Sequence, residues 1–250
     1  MEWSEDGIIL AVARHGEHHA LIDIFCRAHG RWRGLVHGGA SRRRAGVLQP
    51  GNSVTARWRA RLESHLGSFH VEPGQVRAAT LMTDPVRLAG LSAACAVLAT
   101  CLPEREPHAA VHDAFSAVLD LLLSEGVATG DWGEALVRLE LGLLGELGYG
   151  LDLTRCAVTG GTRDLVYVSP KSGRAVSREA GRPYAAKLLP LPAFLTAARG
   201  DGATARDLAL GFRLTGYFLD RHVLAPHGKV LPAARGRLVD RLAGAVVDGP

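Results

Sequence analysis

The feature that most constrains this chain is a change of hydrophobic period at Asp84-Pro85. Before it, apolar residues alternate in short runs broken by glycine or histidine-rich turns; after it, they recur every three to four positions. Gly7 to Ala13, Ala20 to Cys26, Gly30 to His37, Ser53 to Ala60 and Leu66 to Glu72 read as five strands, and Pro73-Gly74 closes the series. Five short strands with a long connection between the third and fourth fit a small closed barrel of the OB type, with an SH3-like barrel as the other solution open to the pattern.

Beyond the switch, Asp84 stands as an N-cap with Pro85 at the first helical position, and Val86, Leu88, Leu91, Cys95, Leu98 and Leu102 continue one face. Helices are predicted from Pro107 to Ser124 and from Asp131 to Leu147. They resume at Pro192 to Arg199, Ala203 to Leu208, Gly211 to Ala225 and Pro232 to Val247. The stretch between, about 151–188, is short, polar and turn-rich and reads as an irregular, knuckle-like insertion. The predicted class is α+β: an OB-fold barrel over 1–80, then an α-helical domain over 81–250. At 250 residues and 47% hydrophobic content the chain can bury a core in each.

Charge divides along the same lines. From Gly7 to Arg61 there are ten arginines against Glu17 and Asp23, whereas from Leu81 to Gly150 Arg87, Arg105 and Arg138 face ten carboxylates. The net +4 of the whole chain conceals this asymmetry, which points to modules with different partners, the basic ones meeting polyanions. The densest run is Gly38-Gly39-Ala40-Ser41-Arg42-Arg43-Arg44, a glycine-rich loop with three consecutive guanidinium groups able to follow a phosphate backbone. Arg31-Trp32-Arg33 and Arg57-Trp58-Arg59 add two strand triplets. Alternation sends each tryptophan to the face opposite its arginines, so the tryptophans are expected in the core and the arginines on an outward basic stripe, with Arg61 as an extension and Arg14 as a weaker member. Phosphate contacts should then dominate over base stacking.

Other functions find little footing. The start, Met1 to Asp6, is acidic and lacks a signal peptide's basic and apolar regions, and no apolar run approaches the length of a membrane span, so a cytosolic protein is expected. Cys26, Cys95, Cys101 and Cys156 have no framework spacing and read as free core thiols. His15-Gly16-Glu17-His18-His19 offers zinc-ligand types but reads as a solvated hairpin turn, and it lacks the helical His-Glu-x-x-His spacing. No phosphate-binding or dinucleotide loop is present, so neither an active site nor a cofactor is expected. A metal-dependent hydrolase using the His15 region and an RNA-binding OB adapter are the competing readings.

The order of these features resembles the bacterial recombinational repair RecO family. The resemblance runs from Gly7-Ile8-Ile9-Leu10 through Gly16-Glu17-His18 and the Gly30 turn, and is sharpest at Gly38-Gly39-Ala40-Ser41-Arg42-Arg43 with Leu48-Gln49-Pro50. It continues through Leu144 to Leu153, Cys156, and Tyr167-Val168-Ser169-Pro170. It implies a DNA-binding and strand-annealing protein, without enzymatic activity, that binds single- and double-stranded DNA and pairs with RecR. It also implies contact with the acidic tail of single-stranded-DNA-binding protein, which helps RecA onto coated strands. The DNA-binding candidates are Arg14, Arg31, Arg33, Arg42, Arg43, Arg44, Arg57 and Arg59; Arg199, Arg206, Arg213 and Arg221, beside Phe212, Tyr217 and Phe218, are the candidates for the acidic tail. Some relatives hold the insertion with four cysteines on zinc. Here Cys156 remains while Thr159, Ser177 and Ala180 stand at the other three positions, so no metal is expected.

Overall fold

In the computed structural model, which describes residues 1–196 and 202–244, five strands form a closed barrel in the order β1-β2-β3-β5-β4. They are β1 (Glu2–His15), β2 (His19–Cys26), β3 (Gly30–Val36), β4 (Ser53–Arg59) and β5 (Ser68–Pro73). β3 meets β5 in parallel and the other neighbours are antiparallel, the arrangement expected of an OB fold. A single helical turn, α1 (Arg42–Ala45), sits in the connection between β3 and β4. The basic run is therefore partly helical rather than a free loop.

The first strand is twice as long as its apolar pattern suggests. Glu2 to Ile8 pairs with β4, Gly7 to His15 pairs with β2, and a bulge between Ile9 and Ala11 re-aims the strand. The apolar pattern alone starts β1 at Gly7, since Glu2-Trp3-Ser4-Glu5-Asp6 is polar. Its alternate side chains face solvent beside β4, so only Trp3 needed to be apolar.

Ile9, Ile22, Ile24, Val54, Ala56, Trp58, Trp32, Phe69 and Val71 fill the barrel. Trp32 is 4% exposed and Trp58 fully buried, as alternation requires. Both indole N–H groups are satisfied by carbonyls, Trp32 donating to His29 at 2.6 Å and Trp58 to Leu66 at 3.0 Å.

A short helix α2 (Arg77–Thr80) leads to α3 (Pro85–Cys101), whose first turn is capped by the Asp84 carboxylate accepting from the amides of Val86 and Arg87. α4 (Ala109–Leu123) follows, and the segment between α3 and α4 lies against the barrel. Arg105 donates its amide to the Arg31 carbonyl at 2.8 Å, its guanidinium lies 4.6 Å from the Trp32 ring centroid, and it donates to the carbonyls of Glu63 and His65 in the β4–β5 connection. Gly30 lies beneath this strap with φ of +72°, and a Cβ there would fall 1.9 Å from the Glu106 carbonyl oxygen. Glycine is required on both counts.

By compactness, Met1–Glu125 with Pro232–Gly236 form one unit, and Gly126–Leu231 with the segment from Arg237 onward form the other. In the second unit, α5 (Thr129–Glu146) packs on a later helix, and the predicted irregular insertion contains a small sheet. β6 (Leu165–Val168) is its central strand, flanked by β7 (Ala175–Ser177) and β8 (Leu189–Pro190), with the turn α6 (Arg178–Gly181) between β7 and β8. Its strands are too short for alternation to be read.

The two helices expected over Ala203–Leu208 and Gly211–Ala225 are one, α7 (Ala205–Phe218), opened by a Thr204/Asp207 capping box and continued by a π-helical turn at Leu219–Leu224. Gly211 is buried inside it rather than opening a second helix. The helix expected from Pro192 is a 3-10 turn at Ala193–Leu195, and Arg199 lies outside the described residues. α8 (Ala233–Gly244) ends the described chain. Between α5 and α7 the buried Glu140 carboxylate accepts the Thr215 hydroxyl.

Candidate nucleic-acid interface

The two Arg-Trp-Arg triplets meet different surroundings. On β4, Thr55, Arg57 and Arg59 point outward and are exposed; across the ladders Arg57 faces His70 on β5 and Ser4 on β1, and Arg59 faces Ser68 and Glu2. On β3, Arg33 faces Asp23 of β2 and forms a bidentate pair with it, at 2.9 and 3.2 Å. Arg31 is only 6% exposed, with guanidinium contacts to Asp23 at 3.5 Å and Glu104 at 3.3 Å beneath the strap. The expected outward stripe is therefore corrected at β3: Arg31 is a buried structural cation, and Arg33 is half-exposed and already paired.

The β1–β4–β5 face collects the exposed charge. Arg44, Arg57, Arg59, His37, His70, Ser68 and Glu2 line one shallow concavity, and Ser41, Arg43 and Arg44 line a second together with Val47, Leu48 and Val71. Arg44 belongs to both, so the α1 turn and β4 border one continuous surface. Arg42 is exposed on the same turn, and Arg42, Arg43 and Arg44 have no ion pair among the described residues. Arg14 lies at the β1–β2 hairpin, lining neither concavity and donating to the Glu17 carbonyl at 3.1 Å. Acidic groups border the surface: Glu2 comes within 3.7 Å of Arg57, Asp6 accepts the Thr55 hydroxyl at 2.6 Å, and Glu72 pairs across from Thr55. The basic surface thus has a defined end.

Asn52, buried and without a signal in the sequence, holds the α1 turn in position. Its amide donates to the carbonyls of Gly46 and Val47 at 3.0 Å each, and its oxygen accepts the amides of Arg77 and Ala78 at 2.8 and 3.0 Å. All four of its hydrogen-bonding positions are filled. Leu48 anchors the same segment in the barrel core. Arg77, also missed, is buried and donates to the Gly51 carbonyl and the Ser53 hydroxyl; burial lowers its affinity for a proton. At the start of the loop, Gly38 has φ of +68° and Gly39 packs so closely that a Cβ would lie 2.7 Å from that of Ala20.

In the second unit Arg206, Arg213 and Arg221 are exposed, while Phe212 and Phe218 are core residues and Tyr217 is half-buried. Arg206 and Arg213 lie two turns apart on one face of α7. Arg221, within the π turn that follows α7, donates to the Tyr217 hydroxyl at 3.1 Å. Phe218, His222 and Tyr149 stack in sequence, with Tyr149 outermost.

The knuckle residues do not fit a zinc ion, since the Cys156 sulfur has Ser177 and Thr159 hydroxyls beside it and Ala180 supplies no donor atom. Burial acts to raise the Cys156 thiol, but hydrogen bonds from the hydroxyl and amide of Thr159 and from Ser177 outweigh it and bring the thiol down to about 6. The Ser177 amide donates to the sulfur at 3.3 Å. Cys95 behaves oppositely, pushed up to about 12 by burial. Cys26 and Cys101 are likewise buried, and none of the four cysteines is in a disulfide. Among the described residues no three His, Cys, Asp or Glu side chains are placed to hold a metal ion, and no helix is long and apolar enough to cross a membrane.

Comparison with known proteins agrees with this layout. Residues 1–75 match the family model described as recombination protein O N terminal, and residues 82–230 match recombination protein O C terminal. The chain is 52% identical over 243 residues to the DNA repair protein RecO of Rhodospirillum rubrum, covering 97% of this chain and 96% of that one. It is 51% identical to the DNA repair protein RecO of Rhodospirillum centenum, covering 96% and 94%. Against that of Cereibacter sphaeroides it is 50% identical, covering 98% and 100%. With both halves matched in order on a barrel followed by helices, the chain belongs to the RecO family of DNA repair proteins.

Proposed function

We propose that this protein is a non-enzymatic, cytoplasmic DNA-binding and strand-annealing mediator of recombinational repair. The observation that carries the reading is the joining of the α1 turn and β4 at Arg44 into one exposed basic surface. Two strands repel through their phosphates; a basic surface that neutralises them holds both until base pairing takes over, and no covalent step is needed. Arg42, Arg43, Arg44, Arg57 and Arg59 supply this charge. Arg33, paired with Asp23 on the β2–β3 face, and Arg14, at the β1–β2 hairpin, line neither concavity, and Arg31 has no part in it.

The division of labour follows the modules: residues 1–80 bind DNA, and residues 81–250 take protein partners. Exposed Arg206, Arg213 and Arg221 suit the acidic tail of single-stranded-DNA-binding protein, with RecR as a further partner and RecA as the beneficiary, in keeping with the family resemblance. The relatives quoted are named for DNA repair, which leaves the RNA-adapter reading without support.

The test is strand annealing on naked DNA and on DNA coated with the cognate binding protein, with and without its acidic tail. Arg57→Glu/Arg59→Glu should abolish annealing on both substrates. Arg213→Glu/Arg221→Glu should reduce only the tail-dependent reaction, through like-charge repulsion. Loss of naked-strand annealing in the second variant with normal tail binding would move the DNA path to the helical domain.

A further inference from the structure

OB folds commonly read oligonucleotides on the outer face of β2 and β3, using exposed aromatic rings. In this chain that face is largely closed. Its outward residues are Leu21, Asp23 and Phe25 on β2, paired with Leu35, Arg33 and Arg31 on β3. Phe25 is fully buried, with its ring 5.2 Å from that of His112 on α4. Glu104 bridges to Arg31 in backbone and side chain, and Arg27 clasps Asp113 of α4 at 2.8 and 2.9 Å. Asp23 and Arg33, further along, neutralise each other.

The open face has the opposite character. It carries the basic surface, and it has no large ring to offer. Trp32, Trp58, Phe25 and Phe69 are buried, and Trp3 is half-buried against the rings of His29, Trp32, Trp58 and Phe69. The rings lining the surface are the Phe69 edge and two imidazoles, His37 and His70, of which His37 packs edge-on against His19. Arg57 and Arg59, alternate residues of one strand, stand about 7 Å apart, close to one nucleotide of extended chain.

We infer that a single strand lies across the β1–β4–β5 face by its phosphates alone, with its bases turned to solvent. The bases then remain available for pairing while the strand is held, which is the geometry annealing requires. The inference rests on the DNA-binding reading above and specifies how the strand is presented.

The experiment uses the full chain, oligonucleotides of equal length with normal or abasic backbones, and 2-aminopurine as a stacking probe. Affinity by fluorescence anisotropy at fixed salt should agree within about twofold between the two backbones, because stacking on an aromatic would add about tenfold per base. The 2-aminopurine emission of a bound strand should stay at that of the free strand. Arg57→Ala/Arg59→Ala should weaken both backbones equally. If that variant binds normally while folded, the barrel-face reading itself fails. If it binds weakly but the wild type prefers bases tenfold or quenches 2-aminopurine, the barrel face stands and the outward-base arrangement is overturned.

Discussion

Arg31-Trp32-Arg33 and Arg57-Trp58-Arg59 are the same tripeptide on two strands of one barrel, and their arginines serve opposite purposes. Alternation is obeyed in both, with the tryptophans inside. What differs is the neighbour. β3 lies beside buried Asp23 and beneath the strap bearing Glu104, whereas β4 lies between β1 and β5 with only the exposed Glu2, 3.7 Å from Arg57, as an acidic neighbour of its arginines among the described residues. A local pattern sets which way a side chain points; the residue across the ladder and the segment packed above decide whether its charge reaches solvent.

The comparison breaks most visibly in stability. Arg31→Ala leaves Asp23 buried at 6% exposure with only Arg33 to neutralise it, and should destabilise the protein by about 3 kcal/mol, the scale for breaking a buried pair. Arg57→Ala/Arg59→Ala should stay within about 0.5 kcal/mol per site of wild type in the same urea titration. Equal effects at the two triplets would erase the distinction.

In DNA binding the order reverses. Each phosphate contact on a single strand accounts for about 0.7 in the slope of log affinity against log salt. Arg42→Ala/Arg43→Ala/Arg44→Ala should therefore flatten that slope by about 2, and Arg57→Ala/Arg59→Ala by about 1.4. An unchanged slope in the triple variant would take the α1 turn out of the interface. Asn52→Ala is a mixed case, since it unties α1 without removing charge and leaves the amides of Arg77 and Ala78 without their acceptor. It should cost about 2 kcal/mol and weaken binding through looser positioning.

The knuckle gives a smaller effect. Cys156→Ala deletes a buried sulfur that accepts from Ser177, and should cost about 1 kcal/mol. Stoichiometric zinc in the purified protein, released by that substitution, would contradict the reading of the site as metal-free.

The smallest effect belongs to Arg27 and Asp113, which pin α4 at the barrel surface. Hydrogen bonding from Arg27 holds the Asp113 carboxyl below the usual carboxylate range. A depressed folded-state pKa stabilises above the unfolded value, near 4, and the contribution disappears as pH falls through the folded one. The melting difference between wild type and Asp113→Asn should therefore be small at neutral pH and vanish in acid or high salt.

The barrel was legible in the sequence because alternation is a strong signal wherever one face is buried: Val54, Ala56 and Trp58 against Thr55, Arg57 and Arg59 admit one reading. Asp84-Pro85 was legible for a similar reason, a cap and a fixed φ being local chemistry. Arg31 was misplaced because its covering residue, Glu104, is distant in sequence, and no local pattern records such a contact. Counting charge from Gly7 overstates the basic module, because the polar start of β1 brings Glu2, Glu5 and Asp6 into the same barrel. Asn52 and Arg77 escaped because a turn residue and a lone arginine carry no signature of what they hold together. Gly211 misled in the other direction, a packing glycine inside one helix being indistinguishable by sequence from a break between Leu208 and a new helix start.

The long first strand also bears on the order of events during folding. Its second half meets β2 through a short hairpin, a contact available as soon as residue 26 is made. Its first half waits for β4, more than forty residues further along the chain. Closure of the barrel is therefore a non-local step, slower than the hairpin or any helix turn. Until it occurs, the edge of β1 from Glu2 to Asp6 is unpaired, and the three carboxylates there, Glu2, Glu5 and Asp6, keep a nascent chain from offering that edge to a neighbour.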